Sequence, residues 1–108
     1  MKNRIIIQKI LGYIEKVLNY TNGYTYDKFA EDTILIEACV FNLSQMGELA
    51  NKIDNDFKTK HQDIPWKFLY ALRNRIVHDY EGVNLVLIWD ILENDLIELK
   101  TQLIEIMD

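Results

Sequence analysis

The sequence predicts an all-α fold, an up-and-down bundle of four main helices with short helical pieces between them. Three observations lead there. Apolar residues recur at three- and four-residue steps over long stretches, which is the period of an amphipathic helix. One proline and four glycines are far too few turn formers for a many-stranded sandwich or barrel. Hydrophobic residues make up 49% of the 108 positions, enough for one core and no more, so residues 1–108 read as a single domain.

Each element has its own signal. From Asn3 to Tyr20, the residues Ile6, Ile7, Ile10, Leu11, Ile14, Val17 and Leu18 form one apolar stripe, and Thr21-Asn22-Gly23 ends it with a position suited to a left-handed cap. A second helix is expected to start at a cap on Thr25 or Asp27 and to run to about Ile53. Its stretch from Ile34 to Leu43 is apolar nearly all round. That pattern suits a central helix or one shared with a second subunit. The polar run Asp54 to Asp63 leaves room for a short helix near Asn55 to Lys60. Pro65 then fits the first turn of a helix reaching about Asp79, where its missing N–H does no harm. The inner stripe of that helix is Leu69, Leu72 and Ile76, helped by Trp66 and Val77. Glu81-Gly82 ends it. Asn84 can cap the last helix, whose apolar residues from Leu85 to Ile106 alternate three- and four-residue steps more regularly than any others. Short connections between helices imply antiparallel packing.

The formal net charge of −5 argues against a protein that coats nucleic acid by bulk electrostatics, yet it leaves room for a local basic cleft. The single cysteine, Cys39, lies in an apolar stretch and reads as a small core residue in a reducing, cytoplasmic setting. The start of the chain shows no signal-peptide pattern, and no stretch approaches the roughly 20 apolar residues that span a bilayer.

Chemistry concentrates at one place. Arg73, Asn74, Arg75, His78 and Tyr80 crowd the last two turns expected for the helix that starts at Pro65. Asn74 and His78 are one turn apart on one face, so the amide can orient the imidazole. Arg73 and Tyr80 share another face. Arg73 and His78 differ in direction by about 140° on ideal geometry. Either the long arginine side chain closes that gap, or the site is completed by a second subunit. His78 can exchange protons near neutral pH, and a helix C-terminus favours its charged form. Arg73 supplies a permanent charge and a planar fork that fits a phosphate. Together they suit cleavage of RNA by its own 2′-hydroxyl, with the histidine moving protons, the arginine stabilising charge and no metal required.

Other chemistries find little support. Two histidines, His61 and His78, occur with no metal-binding spacing, and there is no glycine-rich phosphate loop. Ser44 and Cys39 sit in apolar helix without a nucleophile elbow. His61 reads as a structural or solvent-facing residue of a polar loop, and Trp66 and Trp89 as core or interface anchors. The bland alternative for the motif is a capping histidine with arginines paired to surface carboxylates, which contributes little stability. On the residues alone, the segment is a candidate phosphate-handling site.

The spacing Arg73, four residues, His78, one residue, Tyr80 resembles the signature of HepT-like toxins, within the broader HEPN group of helical ribonucleases. Ile64-Pro65-Trp66 ahead of the stretch Leu72 to Val83 is similar to that family's most recognisable segment. Met46-Gly47-Glu48-Leu49-Ala50 resembles its second-helix pattern, and Trp89 falls in the expected last helix. The resemblance implies a HEPN-like bundle that forms a homodimer with the two motifs facing each other. It implies a metal-independent endoribonuclease toxin acting on RNA without a cofactor, with His78 as general acid/base, Arg73 as transition-state stabiliser and Asn74 in support. It also implies a partner, a minimal MntA-like nucleotidyltransferase antitoxin that transfers AMP onto Tyr80. A bulky anionic adduct beside Arg73 and His78 would occupy the phosphate site. The alternative is a non-catalytic helical dimer that binds a nucleotidyltransferase or a nucleotide through the same cleft.

Overall fold

The computed structural model describes residues 2–78 and 84–107, and side chains for 2–72 and 84–107. Helices account for nearly all of it, and no strand occurs among the described residues. Helix α1 is Lys2–Thr21, with Ile6, Ile7, Ile10, Ile14 and Val17 buried along the expected stripe. Gly23 follows at φ 81°, the left-handed conformation that glycine adopts without a Cβ clash.

The second predicted helix is in fact two. Helix α2 is Tyr26–Glu31 and helix α3 is Thr33–Asn51. Of the two proposed caps, Thr25 does the work, its hydroxyl accepting from the Lys28 N–H, while Asp27 lies within the first turn. Asp32 breaks the run with ψ 89°. Its N–H closes α2 on the Phe29 carbonyl, and its carboxylate accepts from the Leu35 N–H at 3.0 Å to open α3. One aspartate thus ends one helix and starts the next without a glycine or proline. The same carboxylate accepts from the Tyr24 hydroxyl at 3.1 Å, and this hydrogen bond raises the phenol pKa. Asp32→Ala removes the α3 cap and is expected to cost about 1 kcal/mol in urea unfolding.

Helix α3 is the centre of the bundle, packed extensively against α1 and against helix α5, Trp66–His78. Leu35, Cys39, Val40, Leu43, Met46, Gly47 and Ala50 are buried. The all-round apolar pattern is only partly covered within one chain: Ile34 is 81% exposed and Phe41 59%. Burial pushes the Cys39 thiol up to about 12, with Asp32 adding a smaller electrostatic contribution. Iodoacetamide is therefore expected to label Cys39 only in denaturant, since a three-unit rise leaves about 1,000-fold less thiolate.

Helix α4, Asn55–Lys60, fills the polar connection where a short helix was expected. Its start is tied to the start of α1, because the Asp54 carboxylate accepts from Lys2 Nζ at 3.5 Å and Asn3 Nδ2 at 3.3 Å. Helix α5 is Trp66–His78, with the Pro65 carbonyl accepting from the Leu69 N–H at 3.0 Å. His61 has a structural role: its carbonyl accepts from Trp66 Nε1 at 3.0 Å, and its ring lies 4.5 Å from that of Phe57.

The last helix runs from Leu85 to Met107, capped as expected by Asn84, whose side chain accepts from the Leu87 N–H at 3.1 Å. It is not the most regular helix. Between α6, Leu85–Asp90, and α7, Leu96–Met107, the residues Ile91–Asp95 form a π turn, in which the Leu96 N–H reaches back to the Ile91 carbonyl. The π turn has a consequence for packing. Ile88, Leu92 and Leu96 are all buried at successive four-residue steps, which in an α-helix drift about 40° per step. The wider π turn cancels part of that drift and keeps the three on one face. Helix α7 packs on α1, where Lys100 pairs with Glu15. Trp89 is half-buried and closes one end of the core, with its ring 5.1 Å from that of buried Phe29.

Candidate functional site

The candidate site belongs to α5, and the burial pattern of its first half shows how the helix is seated. Trp66, Leu69 and Leu72 are 9%, 0% and 2% exposed. They face the core, and the helix packs chiefly against α3. Lys67 and Tyr70 lie on the solvent side, Tyr70 at 41% exposure.

The same helical backbone carries Arg73, Asn74 and His78 through its last turns. Asn74 and His78 are therefore one turn apart, as the sequence spacing required. Their side chains, and that of Arg73, lie outside the described ones. Tyr80, the expected modification site, lies outside the described residues. Register still orders the backbone positions. Arg73 falls about 40° from the Leu69 direction, near the buried flank, and His78 about 80° from Tyr70, on the solvent side. The separation of about 140° between Arg73 and His78 thus stands in the fold.

Two surface clefts flank α5 and differ in charge. One is lined by Asp63, Pro65, Phe68, Asp95, Glu98 and Gln102. Asp95 there has a raised pKa, first through burial and then through the nearby Asp90 and Glu98 carboxylates. The other includes Lys58, Pro65, Trp66 and Lys67 and carries no carboxylate. The overall acidity of the chain is thus unevenly spread around this helix. Among the described residues no group of histidine, cysteine and carboxylate side chains could hold a metal ion. No described helix is long and apolar enough to cross a membrane.

Lys67 and Tyr70 carry no motif signal in the sequence. Their spacing ahead of Asn74 and His78, at steps of three, four and four, is the pattern that places them on the motif's solvent side.

Comparison with known proteins agrees with this architecture. The family model described as Ribonuclease HepT-like matches residues 10–106. A protein of Caldanaerobacter subterraneus subsp. tengcongensis, provisionally named an RNase, is 31% identical over 96% of this chain and 93% of its own length. One of Methanocaldococcus jannaschii, also provisionally named an RNase, is 33% identical over 84% of this chain and 75% of its own. One of Thermococcus cleftensis, provisionally named a ribonuclease HepT, is 30% identical over 87% of this chain and 86% of its own. No solved structure matches the chain significantly. The match across nearly the whole helical bundle, motif helix included, shows that the chain belongs to the HepT-like ribonuclease family.

Proposed function

We propose that the protein is a metal-independent endoribonuclease toxin whose active site is built from Arg73 and His78 of two chains. The observation that carries this reading is a single helix, α5, seated on the core by its first turns and bearing Arg73, Asn74 and His78 in its last turns. The 2′-hydroxyl oxygen of RNA forms a bond to the adjacent phosphorus, and the bond from phosphorus to the 5′-oxygen breaks. A neutral His78 imidazole takes the proton of the 2′-hydroxyl, and an imidazolium gives one to the leaving 5′-oxygen. The products are a 2′,3′-cyclic phosphate and a 5′-hydroxyl. Arg73 stabilises the charge that builds on the phosphoryl oxygens, and Asn74 orients the imidazole.

A homodimer meets two needs. It supplies a second histidine and arginine to a site that the register of one α5 spreads over about 140°. It also covers the apolar surface left at Ile34 and Phe41 on the central helix. Phe41→Glu is expected to shift the sedimenting species from dimer to monomer; an unchanged dimer places the interface elsewhere.

The partner is a minimal nucleotidyltransferase antitoxin of the MntA-like type, and the switch is AMP on Tyr80, which sets a phosphate and a nucleoside beside Arg73 and His78. Intact mass of the protein co-expressed with a neighbouring nucleotidyltransferase is expected to rise by whole AMP units that map to Tyr80. An unmodified Tyr80 in a neutralised complex contradicts modification and leaves steric blocking. The catalytic reading is tested by RNA cleavage in excess EDTA. Loss of cleavage on chelation, or tight ATP binding with no cleavage of any RNA, overturns it.

A further inference from the structure

We infer that the solvent side of α5 is a track for unpaired RNA, with the Tyr70 ring as the platform on which one base stacks. This rests on the ribonuclease reading above and adds the substrate class. Lys67, Tyr70, Asn74 and His78 fall within an arc of about 80° on the helix, so the two exposed residues continue the motif's own face toward the N-terminus. Tyr70 is an aromatic residue with 41% exposure on helix α5. Among the described residues its ring makes no ring contact and its hydroxyl no hydrogen bond.

Charge decides which side of the helix a strand follows. The Phe68 position lies about 160° from Tyr70. That flank opens on the cleft with Asp63, Asp95 and Glu98, which repels phosphates. The Lys67 flank opens on the cleft shared with Lys58, which attracts them. A cation at Lys67 beside a ring at Tyr70, with Lys58 on the same cleft as Lys67, is the combination by which proteins hold single strands, with phosphates on the cations and a base on the ring. In double-stranded RNA the bases are stacked on each other and offer no free face to a tyrosine. The track therefore selects unpaired RNA.

The test uses a short, mixed-sequence, single-stranded 2′-O-methyl oligoribonucleotide, which cannot cut itself because its 2′-oxygens are blocked. Tyr70→Ala is expected to weaken its binding about tenfold, within the range of base–aromatic stacking, and Tyr70→Phe to recover most of that loss. Replacing both Lys58 and Lys67 by Gln is expected to reduce the slope of log affinity against log salt by about 1.4, at roughly 0.7 per lost phosphate contact. Glu98→Gln, on the acidic flank, should leave binding unchanged. With cleavable RNA, Tyr70→Ala should raise KM about tenfold and change kcat less than about twofold, because the stacked base is held equally before and during the reaction.

Wild-type affinity in Tyr70→Ala overturns the inference, as does a Phe variant as weak as the Ala variant. A change of sedimenting species on Tyr70→Ala overturns it too, since it makes Tyr70 a contact between subunits. Equal loss of binding to a duplex overturns the choice of unpaired RNA. The ribonuclease reading fails separately: wild type then cuts nothing, whatever Tyr70 does to binding.

Discussion

Replacing His78 by alanine is expected to lower RNA cleavage by about 10²–10⁴-fold, the range over which a positioned proton-transfer group accelerates a reaction. The expectation follows from the single ionisable group near neutral pH in the last turns of α5. The only other histidine, His61, is held at the end of α4, with its ring against Phe57 and its carbonyl on the Trp66 indole. It has a structural place in the fold, so His61→Ala should leave kcat within about threefold. Arg73→Ala should also fall by about 10²–10³-fold, since it withdraws charge from the phosphoryl oxygens when that charge is largest. Losses on changing Arg73 and His78 together should be less than multiplicative, because the two act in one step. The wild-type rate should trace a bell against pH, as one imidazole must be neutral and another charged. Circular dichroism of each variant separates lost chemistry from lost fold. Cleavage by His78→Ala at the wild-type rate would remove the histidine from the mechanism.

The second large effect is on stability. Phe29→Ala is expected to destabilise the fold by about 3–5 kcal/mol. Phe29 has 0% exposure and packs its ring 5.1 Å from Trp89, which joins α2 to the start of the last helix. Helix α2 has six residues, too short to persist by local bonding alone. Phe29 is its one buried residue. A loss of that size is a large share of the roughly 5–15 kcal/mol that holds a domain together. Urea unfolding and thermal melting should both register it. A cost under about 1 kcal/mol would mean that Trp89 and its neighbours close over the vacated space.

Much of this fold is legible in the sequence where one residue type has one local use. Asn84 and Thr25 accept from backbone N–H groups three residues on. Gly23 takes the positive φ of the first turn, and Pro65 stands at the mouth of α5. The Asp32 break is not legible because apolar residues continue on both sides of it. The interruption comes from a backbone angle that an aspartate supports by capping twice, and no periodicity reports that. The π turn is hidden too. Ile88, Leu92 and Leu96 keep the same four-residue spacing that Ile6, Ile10 and Ile14 show in the unbroken helix α1, so nothing in the spacing marks the interruption.

The site divides in the same way. Residue type and spacing set Arg73, Asn74 and His78 together on one helix, and the fold agrees. Which side of that helix meets a ligand depends on Asp95 of the π turn and Glu98 of α7 on one flank and on Lys58 of α4 on the other. The two carboxylates are distant from α5 in sequence, and only packing makes them its neighbours. Spacing puts Tyr70 one turn ahead of Asn74, but only the burial of Leu69 and Leu72 shows that this face of α5 is turned to solvent.

The central claim is that Arg73 and His78 cleave RNA through its own 2′-hydroxyl. The most direct measurement is the end chemistry of RNA cut by the purified wild-type protein in excess EDTA. The account predicts a 2′,3′-cyclic phosphate on the upstream fragment and a 5′-hydroxyl on the downstream one. A 5′-phosphate paired with a 3′-hydroxyl, which marks attack by water, would contradict it.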